Sequence, residues 1–374
     1  MAAPKKKIKK QAPKKRVSAQ GGAASGGKKT KKKLTALNLR KSPDNPIIKP
    51  SADTPWQSKA TFNPTALYHD GKVHIVYRAI GDTDESVLGY ASSLDGIAIK
   101  DRHPDAVYRH AKEGRVEKTL PKILYGSGGG WSGGCEDPRL TLLGTRAYLL
   151  YTAFDGWSSV RIALTSINLD DFISKRWNWQ KPVLISPPGE IHKNWVLFPE
   201  KIKGKYAILH SLSPEILIDY FNDLDELDGD NFIQSVHQGN PLWYRRDKGI
   251  RGVGPAPIKT KYGWLVLYHA MDKINPSQYK LWAMILDLNN PEKILYRGVE
   301  SILEPDESYE NYGFKAGVVY SCGAVVKGGE LFVYYGGADM VSCVATANFD
   351  KFLEKLVTSR PSKLTGRKTR ARAT

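Results

Sequence analysis

Glu136-Asp137-Pro138-Arg139 sets two carboxylates and a guanidinium within four residues. These are the residue types of proton transfer, with a countercharge supplied beside them. The segment reads as the start of a strand, where neighbouring side chains point to opposite faces. One acid should then look into a site while the other turns into the sheet. A carboxyl in a partly buried setting, tuned by its neighbours, can serve as a catalytic acid. The plain alternative is an Asp-Pro turn carrying a surface ion pair.

A set of basic groups accompanies the acids: Arg78, Arg161 in Val-Arg-Ile-Ala-Leu, Lys193 in His-Lys-Asn-Trp, and His269 in Tyr-His-Ala. Any one of them would ordinarily be solvated or ion-paired. Together, from comparable strand ends in different parts of the chain, they could form an anion site for phosphate or a carboxylate. Trp131, Trp157 and Trp195 are among nine tryptophans whose flat faces suit sugar rings, with core packing the default role for most.

Something must bring these scattered residues together, and the chain repeats itself in a way that does so. Five segments share a turn residue followed by an apolar strand ending on an aromatic or His. Their anchors, Tyr77, Tyr151, His210, Tyr268 and Tyr335, lie 74, 59, 58 and 67 residues apart. Eleven to thirteen residues before the first four anchors stand Pro64, Pro138, Pro199 and Pro257. A second apolar strand follows each anchor, often closing on an acid. Strand, turn, strand, loop, strand at this period is how propeller blades read, so the expected fold is all-β, a five-bladed β-propeller. A pair of β-sandwiches with coincidental spacing is the competing architecture. Phe349, Phe352, Leu353 and Leu356 follow helical spacing and predict a short C-terminal helix. In a propeller the residues beside the recurrent prolines converge at one mouth of the axis. That gathers Asn63, Glu136, Asp137, Arg139 and Glu200, with Arg78 and His269 as candidates to join them.

The formal charge of +18 on 374 residues raises a polyanion as partner. Residues 1–42 hold 15 Lys/Arg and residues 359–374 hold six, with no acid in either. Removing those 21 leaves 35 basic against all 38 acidic side chains over residues 43–358, a net of −3. Both Lys/Arg-rich ends are too poor in apolar residues to repay the entropy of folding, and are expected to be disordered tails. Nucleic acid or an anionic surface would therefore meet the tails alone, and the catalytic domain spans 43–358.

Gly128-Gly129-Gly130-Trp131-Ser132-Gly133 matches a dinucleotide-loop pattern, yet it leads into another strand where that motif needs a helix. Gly126–Gly134 reads better as a mobile loop over the site, with 101–134 as a lid. Cys135, Cys322 and Cys343 form an odd, sparse set without metal spacing, which suits a reducing cytoplasm. No cofactor or metal is expected. The chain shows no apolar run of membrane-spanning length and no apolar core of a signal peptide.

Taken in order, Phe62-Asn63-Pro64, Tyr77-Arg78-Ala79, Gly134-Cys135-Glu136-Asp137-Pro138-Arg139, Leu197-Phe198-Pro199-Glu200-Lys201-Ile202, Tyr268-His269 and Tyr335-Gly336-Gly337-Ala338-Asp339 resemble the motifs of glycoside hydrolase family 130. That family holds the β-mannoside phosphorylases and their hydrolytic relatives. The resemblance covers about residues 55–355 and itself implies a five-bladed propeller. It implies an inverting reaction in which Asp137 donates a proton to the glycosidic oxygen through a sugar hydroxyl. Inorganic phosphate, as co-substrate, attacks the mannosyl anomeric carbon from the opposite face to give α-mannose 1-phosphate. By motif match Arg161, Lys193 and His269 would line the phosphate site. Asn63, Arg78 and Asp339, with Glu136, Arg139 and Glu200, would serve the β-mannoside oligosaccharide.

Two motifs depart from the phosphorylase pattern: His192-Lys193-Asn194 stands for Asn-Lys-Asp, and Tyr268-His269-Ala270 for Tyr-His-Gly. Arg176 is the nearest candidate for the family's second phosphate arginine. An inverting β-mannoside hydrolase, which needs a second carboxylate to activate water, is the neighbouring alternative. A non-catalytic glycan-binding propeller tethered by its basic tails is the alternative of another class. A homo-oligomer is compatible with all three.

Overall fold

Short apolar runs closed by Gly or Asx turns leave the backbone little choice but hairpins, and five successive antiparallel meanders result. The computed structural model describes residues 37–110, 133–156, 160–234, 249–272 and 275–358. The N-terminal strand β1 (Arg40–Lys41) is followed by a first meander of β2 (Ala60–His69), β3 (Lys72–Ile80) and β4 (Ser86–Ser93), edged by β5 (Asp101–Arg102). A second comprises β6 (Gly134–Leu143), β7 (Arg146–Phe154), β8 (Val160–Asn168) and, after helix α1 (Leu169–Ile173), β9 (Val183–Leu184). The third is β10 (Val196–Leu197), β11 (Tyr206–Ser211) and β12 (Leu217–Phe221).

In the fourth, β13 (Ile250–Val253) and β14 (Ile258–Thr260) both pair with β15 (Gly263–Met271), which continues through β16 (Tyr279–Leu286) to β17 (Ile294–Arg297). Helix α2 (Ser308–Asn311) leads to the fifth: β18 (Val319–Lys327), β19 (Glu330–Gly337) and β20 (Val341–Asn348). Helix α3 (Phe349–Thr358) then packs Phe352, Leu353 and Leu356 into the core, as the helical spacing predicts. The chain is thus mostly β-sheet.

Strands such as β3 and β4 are buried along nearly their whole length, because each sheet is covered on both faces. Apolar clusters fill the gaps between successive meanders. Val76, Leu88 and Tyr90 of the first meet Leu149 and Tyr151 of the second. Leu150 and Ile162 meet Leu197 and Ile208, and Phe198 and Leu209 meet Trp264 and Val266. Leu265 and Ile285 meet Leu331 and Val333. The fifth returns to the first through Phe332, Tyr334 and Val344 against Ile75, Tyr77 and Val87. Sheet faces packed at native density make each such layer a substantial share of stability.

The expected boundary at residue 42 requires correction. Arg40 and Lys41 pair with Thr346 and Ala345 of β20, Leu37 and Leu39 are buried, and Lys41 Nζ reaches Glu310 at 2.5 Å as well as Asp306. Apolar burial and a paired cation therefore recruit 37–42 into the sheet. The rest of both tails, residues 1–36 and 359–374, and the glycine-rich stretch 111–132 of the expected lid, lie outside the described residues.

Candidate active site

Asn63 and Asp137 occupy the same kind of position on β2 and β6. The pairing of β2 with β3 jumps from Phe62–Arg78 to Thr65–Val76, and that of β6 with β7 jumps from Glu136–Thr152 to Arg139–Leu150. Asn63-Pro64 and Asp137-Pro138 are the bulged residues. A proline without an N–H fits where the ladder is interrupted. Asn63 (φ 48°) and Asp137 (φ 51°) are left-handed, as are Asn194 (φ 67°) and Asp339 (φ 52°). Asn and Asp bear this conformation better than most residues, but it still costs energy, and such strain gathers at functional sites.

The bulge overturns the expectation that only one acid faces the site. Arg78, almost wholly buried, donates from Nη2 to Glu136 Oε1 at 2.9 Å and from Nη1 to Asp137 Oδ1 at 3.3 Å. One guanidinium thus holds both carboxylates. Its Nε donates to Ser86 Oγ at 3.0 Å, and its plane lies over Phe62. Asn63 Nδ2 donates to Asp137 Oδ1 at 2.7 Å, and Lys193 Nζ donates to Glu136 Oε2 at 2.9 Å. Gly336 is required behind this pair, since a Cβ there would sit 2.1 Å from Asn63 Oδ1.

Arg139 braces the same loop from below. It donates to the Asp137 backbone carbonyl at 2.9 Å, to Gly254 O at 3.0 Å and to Asn194 Oδ1 at 2.9 Å. Tyr320 OH accepts from Arg139 at 3.2 Å and donates to Asn194 Oδ1. His269 lies flat on Tyr320, with ring centroids 4.1 Å apart.

Electrostatics separate the carboxyls. Burial works to raise the Asp137 pKa, but Arg78, then Lys193 and Arg139, overcome it and hold the group well below the usual carboxylate range. Asp339, also buried, is pushed up to about 6 by burial and the nearby Asp137 charge, against the pull of Lys315. At neutral pH Asp137 is therefore held ionised, whereas Asp339 takes up a proton only a little below neutrality.

His269 is not the cation the sequence suggested. Burial, reinforced by Arg139, lowers it to about 3, and its Nε2 accepts from the Ser321 N–H at 2.9 Å. The neutral ring therefore carries its proton on Nδ1, a buried donor with no partner among the described residues. Such a donor suits an anion without adding charge. Arg161 sits at the adjoining edge of β8, where it donates to Ser186 O at 2.7 Å. The backbone N–H of His192 donates to Val160 O, so Arg161 and Lys193 lie on neighbouring segments.

Two expectations fail on position. Glu200 is half exposed and pairs with Lys259. In the third meander Leu197 pairs with Ile208 and the Phe198 N–H donates to Ala207 O, so Pro199-Glu200 lies toward the turn end of β10–β11 and Trp195 stands where Pro138 does in the second. Asn194, left-handed and opposite the end of β11, fills the corresponding place instead. Arg176 is exposed beside α1 and pairs with Asp171 at 2.7 Å. Sequence reasoning also passed over Tyr320, whose signal was only an aromatic at the start of β18. Trp131 and Trp157 lie outside the described residues, and Trp195 is a core residue. Among the described residues no group of three His, Cys, Asp or Glu side chains is arranged to hold a metal ion.

An all-β frame whose bulges converge on a buried acid set among cations fits an enzyme of acid-assisted group transfer. The profile of glycoside hydrolase family 130, described as β-1,4-mannooligosaccharide phosphorylase, matches residues 38–358, and the chain belongs to this family. It is 37% identical over 319 residues to the 1,2-β-oligomannan phosphorylase of Thermoanaerobacter sp. (strain X514), spanning 83% of this chain and 97% of that protein. It is 34% identical over 330 residues to the β-1,2-mannobiose phosphorylase of the same organism, spanning 84% and 99%. Among solved structures, a putative glycosidase from Bacteroides thetaiotaomicron superposes with a TM-score of 0.65 at 25% identity, over 84% of this chain and 97% of that one.

Proposed function

We propose that this protein is an inverting β-mannoside phosphorylase built on a five-bladed propeller. The five meanders, each sharing an apolar layer with the next and the fifth with the first, support the propeller. The observation that carries the function is the buried chain Asn63–Asp137–Arg78–Glu136–Lys193.

Asp137 delivers its proton, by way of a sugar hydroxyl, to the glycosidic oxygen as the bond to the anomeric carbon breaks. Phosphate dianion bonds to that carbon from the opposite face, giving α-mannose 1-phosphate and a free sugar hydroxyl. The product phosphate, more acidic once esterified, returns a proton to Asp137. Phosphate is already a nucleophile and needs positioning cations rather than a base. Lys193 and Arg161 supply charge, and the His269 Nδ1–H supplies a neutral hydrogen bond. Arrival of a dianion offsets the cations that keep Asp137 ionised, so the acid becomes protonatable when the co-substrate is present. Asn63, Arg78, Glu136, Arg139 and Asp339 hold and align the mannosyl unit.

Glu136, the acid adjacent to Asp137, has both oxygens bound to cations and is a poor base for water, which favours phosphorolysis over hydrolysis. The reaction requires no cofactor. Three buried free cysteines suit a cytoplasmic setting, and no helix among the described residues is long and apolar enough to cross a membrane. Incubation with β-1,2- and β-1,4-mannobiose, with and without phosphate, tests the reading by ³¹P NMR. Phosphate-dependent α-mannose 1-phosphate is expected; mannose released equally without phosphate would make the protein a hydrolase.

A further inference from the structure

β1 pairs with β20, and α3 follows β20 directly, so β1 and α3 form one junction on the outer edge of the fifth meander. Alternation on the way into β1 buries Leu37 and Leu39 and leaves Asn38 and Arg40 exposed. Arg40 borders an open hollow of about 350 Å³, lined also by Lys351 and Lys355 of α3, by Asn348 and by Glu330. Lys351 and Lys355 stand four residues apart, about 6 Å along the helix axis, whereas Asp350 turns away to Lys261 at 3.5 Å. All three cations are exposed, and Arg40 and Lys351 form no ion pair among the described residues. Glu330 is the one acid among the described residues that line the hollow. Like charges gathered in this way repel one another, and a bound anion relieves the repulsion.

The surrounding sequence indicates what kind of anion. The chain runs into this junction from residues 1–36, which hold 13 Lys/Arg, and out of it into residues 359–374, which hold six, with no acid in either. A polyanion of regular spacing can use charge from all three places, which a single phosphate cannot. A membrane surface fits less well: none of the large apolar side chains exposed among the described residues borders the hollow, and lipid binding draws on such anchors. Asn38 and Asn348 instead add amide groups that suit phosphate and sugar oxygens. We infer that the β1–α3 junction is a docking site for the phosphate backbone of a nucleic acid, with Arg40, Lys351 and Lys355 contacting the same strand as the Lys/Arg-rich ends. The charged ends then do not act alone, as the sequence suggested. Glu330 pairs with Asn348 at the end of the β19–β20 hairpin opposite the turn that carries Asp339, so this site and the catalytic one can be occupied together.

Fluorescence anisotropy of a labelled single-stranded oligonucleotide, titrated with the full-length protein over a range of salt, tests it. The combined variant Arg40→Gln, Lys351→Gln, Lys355→Gln keeps both charged ends. Its plot of log affinity against log salt should be shallower by about 2, because each contact to a single strand contributes about 0.7, and its Kd at about 0.15 M salt should rise at least tenfold. Glu330→Gln, which removes the acid from the hollow, should tighten binding by about twofold. Both variants change side chains at the protein surface, so Tm should match wild type. The inference is overturned if wild type does not bind the oligonucleotide, or if the combined variant binds it with the wild-type Kd and salt slope, which would leave the ends as the whole site. It is overturned equally if vesicles of phosphatidylserine and phosphatidylcholine retain the protein and the oligonucleotide does not compete.

Discussion

Asn63 and Asp137 meet across two strands bent in the same way: each is left-handed, each precedes a proline, and the Asn63 amide donates to the Asp137 carboxylate at 2.7 Å. The acid is consequently positioned by backbone geometry on both sides and has little freedom to turn away. Arg78 approaches the same Oδ1 atom, so both of these contacts fall on one oxygen of the carboxylate.

Replacing that acid isolates its role. Asp137→Asn preserves shape and removes the transferable proton, so kcat should fall by about 10²–10⁴-fold with circular dichroism unchanged. A variant with near-normal phosphate-dependent turnover would strip Asp137 of the assignment.

Gly336→Ala probes positioning at a distance from the chemistry. The added Cβ would collide with Asn63 Oδ1, so Asn63 must move and Asp137 loses its guide. A displacement of this size costs about 10²-fold in rate. The expected result is a folded protein with kcat reduced far more than the KM for mannoside is raised.

His269→Phe removes a neutral donor. The KM for phosphate should rise about tenfold, with the KM for mannoside much less affected. Because burial and Arg139 lower His269 to about 3, the wild-type KM for phosphate should show no histidine inflection near pH 6.5. An inflection there that vanishes in the variant would mean the ring titrates.

Asp339 gives the pH dependence its sign. Its pKa is raised to about 6 in the fold, so below that pH the carboxyl is protonated and becomes a weaker acceptor for the sugar. kcat/KM for mannoside should fall as pH drops through 6, and Asp339→Asn should flatten that limb at a lower plateau. Stability runs the other way. Burying the ionised form is unfavourable above pH 6, so Asp339→Asn should raise Tm at pH 7.5. The gain should shrink as pH falls through 6 and disappear below the unfolded value near 4. A Tm difference that does not change with pH would place its cause elsewhere.

Truncation separates the charged ends from the domain. Deleting residues 1–36 and 359–374 should leave turnover intact and abolish any salt-sensitive retention on immobilised DNA. Extending the N-terminal deletion to residue 42 removes buried Leu37 and Leu39 and the β1 pairing. Each leucine is worth about 2 kcal/mol, so Tm should drop by several degrees. Equal Tm values for the two truncations would refute the structural role of β1.

The repeated anchors were legible because each is an aromatic or His closing a strand that is buried on both faces, and burial forces that composition. The motif carrying Asp137 was legible because two carboxylates and a guanidinium fall within four residues. What stayed hidden was local: a two-residue bulge cancels the alternation that would have sent Glu136 and Asp137 to opposite faces. Glu200 misled because the third recurrent proline does not stand at the strand break: by register Trp195 holds that place, and Pro199-Glu200 falls four residues on, toward the turn. Asn194, the true counterpart, is followed by Trp195 and lacks the proline that follows Asn63 and Asp137. His269 looked cationic because nothing in its own segment reveals that the Ser321 N–H, 52 residues on, claims its lone pair.

The pairing of β1 with β20 joins residues roughly three hundred positions apart. During translation Arg40 and Lys41 leave the ribosome long before Thr346 and Ala345 exist, and their strand has nothing to bind. The earlier meanders can collapse on one another as they emerge, but the final sheet waits for the last hairpin to be synthesised and for the beginning of the chain to return to it. Closure of such a distant contact carries a loop entropy that nearer ones avoid. The seam where the two ends meet is therefore expected to be the last part to form and, under load, the first to open.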